Sequence, residues 1–210
     1  LIAGPTILTP TEGNVLANAK PPITGTGVAG STLQLSIDGG DPVDVEVDEN
    51  GEWEFTPETD LIDGEHTVTV TDGTNETIVT FSIDTTAPVL TVDSPKNGEI
   101  LTAPPTSVSG TSEPGAVIVV VIDGVEVGTT TADDDGNWSV DVTGIEPGAH
   151  TLEVRATDEV GNTSTSETTF SIADTNEYEI SGGCSSADGS GGFMVLLLGF
   201  VGLFIRRRRA

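Results

Sequence analysis

Residues with titratable or nucleophilic side chains fall into three groups. Two histidines, His66 and His150, stand at matching places in "GEHTV" and "GAHTL". Acid–base work by either would need convergent partners, and each half of the chain offers one histidine. Each is in phase with the inward residues of its own segment. The sequence therefore predicts structural histidines that cap a core and hydrogen-bond a loop. Two acidic loops, Asp48-Glu49-Asn50-Gly51 and Asp133-Asp134-Asp135-Gly136, form the second group. A helix–loop–helix calcium site sets oxygen ligands at alternate positions, then a glycine, then a closing glutamate. Aligned on the glycines, the ligand positions hold Glu46, Asp48, Asn50 and Pro57, or Thr131, Asp133, Asp135 and Val142. The closing glutamate is missing from both, so turns before a strand are expected. The third is the single cysteine, Cys184, which excludes an internal disulfide.

The elements that position these groups must come from a very acidic chain. Of 210 residues, 34 are Asp or Glu and 7 are Lys or Arg, a formal net charge of −27. Arg206, Arg207, Arg208 and Arg209 hold four of the seven cations. Residues 1–180 keep only Lys20, Lys96 and Arg155 against 33 carboxylates, a formal charge of −30. Binding to nucleic acid is excluded on that balance, because phosphates need Lys and Arg. Phosphate loops, paired-cysteine metal sites, Ser-His-Asp arrangements and cofactor fingerprints are absent from the sequence. It predicts no enzyme activity. The first residue is Leu1 and no signal peptide precedes it, so the chain reads as the C-terminal piece of something longer.

The body repeats itself. "ITGTGVAGSTLQLSIDG" (23–39) aligns with "VSGTSEPGAVIVVVIDG" (108–124), "DENGEW" (48–53) with "DDDGNW" (133–138), and "DGEHTVTV" (63–70) with "PGAHTLEV" (147–154). Apolar residues alternate within each copy, the period of a strand. Leu33, Leu35 and Ile37 share a face, as do Val43, Val45 and Val47, then Trp53 and Phe55, then Val68 and Val70. The second copy gives Ile118, Val120 and Ile122, then Trp138, Val140 and Val142, then Leu152, Val154 and Ala156. Trp53 and Trp138 are expected core anchors. About seven short strands per copy, separated by Gly, Asp and Pro turns, predict an all-β chain of two tandem antiparallel β-sandwiches. The domains are placed at 1–87 and 88–174. One strand breaks the alternation: Val117, Val119 and Val121 should face outward, either covered by a neighbour or free as a contact surface for a ligand.

The second copy resembles the immunoglobulin-like repeats of large bacterial surface proteins. "GTSEPG", "DDDGNW", "GAHT" and "DEVGN" carry the likeness. The first copy lacks the proline of the opening motif and the D-x-x-G-N close, reading "TDGTNET". The resemblance covers residues 5–174 and implies an Ig-like fold with a stalk or adhesion role. It also implies a calcium ion at the junction of the domains, for which Asp72, Asp84 and Asp158 are the candidate ligands.

From residue 175 to 192 the chain is a Gly/Ser-rich tether containing Cys184, flexible by composition. Residues 193–210 are thirteen uncharged residues followed by the four arginines and Ala210. The run includes Phe193, Leu196, Leu197, Leu198, Phe200, Leu203, Phe204 and Ile205. As a helix it would span about 20 Å at ~1.5 Å per residue, short against a bilayer core of about 30 Å. A short C-terminal transmembrane helix is nonetheless expected, with the arginines left in the cytoplasm and the sandwiches beyond the membrane. A cysteine in "GGCSS", a spacer, an apolar run and a terminal arginine cluster resemble MYXO-CTERM sorting tails. That likeness implies a dedicated sorting protease as partner, cleavage around Gly183, Cys184 and Ser185, modification of the cysteine and delivery to the cell surface. Two functions fit: a non-enzymatic surface stalk, or the spacer of a larger secreted enzyme whose catalytic domain lies upstream of Leu1.

Overall fold

The computed structural model describes residues 4–174. Two apolar cores form, and they share no residue.

Around the first are eight strands: β1 (Thr6–Thr9), β2 (Val15–Leu16), β3 (Ile23–Thr26), β4 (Thr32–Ile37), β5 (Val43–Glu46), β6 (Glu52–Phe55), β7 (Gly64–Thr71) and β8 (Glu76–Ile83). They make a β1-β3-β6 sheet and a β2-β8-β7-β4-β5 sheet. Around the second are β9 (Glu99–Leu101), β10 (Ser107–Thr111), β11 (Val117–Ile122), β12 (Val125–Thr131), β13 (Asn137–Asp141), β14 (Gly148–Thr157) and β15 (Thr163–Ile172). Their sheets are β10-β13 and β12-β11-β14-β15-β9. Ahead of β9, residues 91–94 lie along β10 through Thr91 N–H to Thr111 O and a Ser94–Ser109 bridge. No described residue is helical. Among them, no helix is long and apolar enough to cross a membrane; the expected helix at 193–205 lies outside the described residues.

Alternation places the cores as expected. Leu33, Leu35, Val68 and Val70 are buried in the first, and Ile118, Val120, Leu152 and Val154 in the second. Two details differ from the sequence reading. The sandwiches are not wholly antiparallel, because β2 pairs β8 and β9 pairs β15 in parallel. Those partners are two and three residues long, too short for an alternating pattern to reveal them. Val43 is 39% exposed rather than inward, as it lies at the start of an edge strand only four residues long.

The outward valines sit between polar neighbours. Val119 is flanked by Thr129 and Arg155, and Val121 by Glu126 and Glu153. Both are half-buried, while Val117, at the strand's end, is 47% exposed. Arg155 donates to Glu153 at 3.1 Å on the same face. Long side chains on adjacent strands can cover apolar surface with their stems, and the cross-strand neighbours of Val119 and Val121 include Arg155, Glu126 and Glu153.

Candidate functional site

The most organised polar groups are the two histidine centres, one per sandwich. Each begins at an Asp-Gly turn. Asp38 and Asp123 adopt a left-handed backbone, φ 53° in both, a conformation that Asp tolerates better than most side chains. The turn aims the carboxylate back at the strand that carries the histidine. Asp38 Oδ1 accepts the Thr67 N–H at 2.8 Å, and Asp123 Oδ1 accepts that of Thr151 at 2.8 Å. The other oxygen faces the ring. His66 Nδ1–H donates to Asp38 Oδ2 at 2.7 Å and Nε2–H to the Ile62 carbonyl at 2.7 Å. His150 repeats this with Asp123 Oδ2 at 2.7 Å and the Glu146 carbonyl at 2.8 Å. The rings pack against Phe81 and Phe170, with centroids 5.8 and 5.2 Å apart.

Both ring nitrogens meet oxygens that can only accept. A neutral imidazole has one N–H, so only the imidazolium satisfies both bonds. Burial of His66, 4% exposed, opposes the charge, yet the Ile62 carbonyl and the Asp38 carboxylate outweigh it and raise the ring's pKa. For His150 the bond to Asp123 is the largest influence and burial again opposes it; the pKa is raised. In turn the Asp123 carboxyl is held below its usual value, chiefly by His150 and then by the Thr151 N–H. With both ring nitrogens committed to these bonds, neither is free to accept a substrate's proton. The centre is a latch joining a turn, a loop and a strand.

The acidic loops are turns. Asp48 Oδ1 accepts the N–H groups of Asn50 and Glu52, both at 2.8 Å. The Glu52 N–H is the largest influence on its carboxyl, which is held low. Asp133 Oδ1 accepts those of Asp135 and Asn137 at 3.0 and 2.7 Å. Each loop feeds the tryptophan strand. Trp53 and Trp138 are 3% exposed, in the two cores.

The three candidate calcium ligands do not come together. Asp72 follows β7 and Asp84 follows β8, at opposite ends of that hairpin. The eight residues of β8 separate them by about 26 Å, at ~3.3 Å per residue. The Asp72 carboxylate serves its own turn, accepting the N–H groups of Thr74 and Asn75 at 2.8 and 2.7 Å. Asp84 and Asp158 do meet, through Asn162. Its amide donates to the Asp84 carbonyl and to Asp158 Oδ2, both at 2.8 Å, while Asp158 Oδ1 accepts the N–H groups of Val160, Gly161 and Asn162. Burial disfavours that carboxylate's charge, but these donors prevail and hold its pKa low. Calcium takes roughly six to eight converging oxygens; here the oxygens serve N–H groups of the loop. Among the described residues, no three His, Cys, Asp or Glu side chains are grouped to hold a metal. The processing residues Gly183, Cys184 and Ser185, and the apolar and arginine residues of 193–209, lie outside the described residues.

Sequence reasoning missed two residues at this junction. Asn162 was visible as the last letter of "DEVGN", without any hint of its second bond. Asp63, whose carboxylate holds Thr85 and Thr86, looked like an ordinary turn residue ahead of a glycine.

Two sandwiches in sequence, each with its own core and a strand histidine bonded to an Asp-Gly turn, define an immunoglobulin-like tandem. Residues 9–85 match the model of the bacterial Ig-like domain and residues 93–174 that of the bacterial Ig domain. The body of this chain is a tandem of bacterial Ig-like domains. No curated protein matches the chain significantly. Among solved structures, the titin I-band fragment I67–I69 is 11% identical with a TM-score of 0.50, over 82% of this chain and 66% of that one. That likeness speaks to fold alone. A structure from a 1.5-MDa bacterial ice-binding adhesin is 25% identical with a TM-score of 0.42, over 81% of this chain and 64% of that one. The BSP domain of a biofilm-associated protein is 18% identical with a TM-score of 0.32, over 84% and 30%.

Proposed function

We propose that this chain is a non-enzymatic module of a bacterial cell surface, a short stalk exported and attached through a processed C-terminal signal. The observation that carries this is the pair of bacterial Ig-like domains, each with its own core. Charge supports it: the body's formal −30 suits a solvated exterior and self-repulsion. The order of cysteine, spacer, apolar run and four arginines supports the attachment. On this reading the arginines stay inside during export, the membrane holds the apolar run, and a sorting protease cuts near Cys184. The function is mechanical, to hold what the chain presents away from the cell.

The intact mass of the mature protein from its own cells tests the attachment. The expected mass is that of a chain ending near Cys184, plus a modification on that cysteine. A mass that includes Phe193 to Ala210 would refute processing.

A further inference from the structure

We infer that Asp63 sets the joint between the two sandwiches and makes it a fixed one. Tandem domains move relative to one another by default unless their interface is large and apolar. This joint instead has hydrogen bonds on Asp84, Thr85 and Thr86, the first three residues after β8. The Asp84 N–H donates to the Leu16 carbonyl at 2.9 Å. Asp63 Oδ1 accepts both the N–H of Thr85 at 2.9 Å and its hydroxyl at 2.8 Å, and Oδ2 accepts the Thr86 hydroxyl at 2.5 Å. Bonds to an ionised acceptor are roughly twice as strong as neutral ones.

From the other side, Asn162 of the β14–β15 loop reaches back to the Asp84 carbonyl. It is itself fixed on Asp158. Thr86 is thus held on the first sandwich, and two residues later Pro88 is buried with its φ locked by the ring. Only Ala87 lies between, and a residue before proline is itself restricted. The clamp has a firm base, since Asp63 adjoins Ile62, whose carbonyl receives His66.

The duplication supplies an internal control. Where the first copy has Asp63 the second has Pro147, although both keep the histidine latch. Pro147 offers no carboxylate to the chain leaving the second sandwich. The carboxylate belongs to the joint, whereas the latch belongs to the fold. This inference concerns the joint alone and holds whether or not the protein is displayed on a surface.

Spin labels test it. In the full chain carrying Cys184→Ser, labels go on Glu49→Cys and Asp134→Cys, exposed turns of the two sandwiches. Dipolar spectroscopy should give one narrow distance distribution. Asp63→Ala should broaden it by about a factor of two, as expected of independent domains, with the melting of both sandwiches still cooperative. A broad distribution in the parent, or an unchanged width in Asp63→Ala with both sandwiches folded, overturns the inference. If Asp63→Ala unfolds the first sandwich, Thr85→Val with Thr86→Val removes the hydroxyl donors without touching the loop. Broadening is again expected, and an unchanged width again overturns it.

Discussion

Trp138→Ala will cost the second sandwich about 3–5 kcal/mol, the usual range for truncating a buried tryptophan, and will leave the first sandwich unchanged. The size follows from how the ring is seated. Trp138 lies over Gly110, where an added Cβ would stand 2.7 Å from ring Cζ2 and 2.1 Å from the Thr91 carbonyl oxygen. That glycine belongs to β10, which pairs with the tryptophan's own strand at this very position, Gly110 opposite Trp138. The backbone beneath the ring is therefore fixed on both sides and cannot collapse into the space the indole leaves. Single domains have total stabilities of about 5–15 kcal/mol, so the loss removes a large part of the whole. Its confinement follows from the two cores having no common residue. Trp53 and Gly25 repeat the arrangement in the first sandwich, opposite one another on β6 and β3. Each sandwich holds one tryptophan, so Trp53→Phe and Trp138→Phe give each a separate fluorescence reporter. Urea unfolding of Trp138→Ala, followed through Trp53, should show an unshifted transition. Equal shifts in both sandwiches would show one cooperative unit.

The second large effect is a loss of stability as pH rises above 6.5. The folded pKa of His66 and of His150 is raised above the ordinary value of 6.5. A raised pKa means that the folded state holds the proton more tightly than the unfolded state. The stabilisation is thus complete below pH 6.5 and disappears as pH climbs through the folded value. The carboxylates have the opposite sign. Asp63 is held low chiefly by the Thr86 hydroxyl, and Asp72 by the Asn75 side chain. Asp123 and Asp158 are held low as well. Their contributions are present above the ordinary carboxyl value of 3.8 and disappear as pH falls below it. Melting temperature should therefore be highest between these limits, with an acid limb from aspartates and a limb above pH 6.5 from histidines. Replacing both histidines by glutamine should lower the plateau and flatten the limb above pH 6.5. Asp123→Asn should cost the second sandwich about 1.5–3 kcal/mol, the range for a hydrogen bond to a charged group. A limb above pH 6.5 that is as steep without the histidines as with them would refute the latch.

What could be read from the sequence was whatever the duplication wrote twice. Period-two alternation in "TLQLSI" gave the inward face of β4, because a half-buried strand must alternate, and the alignment of "VIVVVI" with it gave that of β11. The matching phases of His66 and His150 placed both rings at the edge of a core. What could not be read was set by distance through space. Asp72 and Asp84 are both turn aspartates near the end of the first copy, and only the eight-residue run of β8 shows that they lie at opposite ends. Asp63 gave no signal because Asp before Gly is common in any turn, and its partners arrive 22 and 23 residues later. The short parallel partners β2 and β9 carry too few residues for a pattern. Val119 and Val121 are half-buried beside Arg155, Glu153 and Glu126, which alternation places on the same face without showing how they lie.

The central claim is that these two acidic sandwiches stand outside the cell. It is tested most directly by adding a protease to intact cells and following the chain with an antibody to residues 4–174. The account predicts that the signal is lost while a cytoplasmic marker survives. A chain that stays whole until the cells are broken would contradict it.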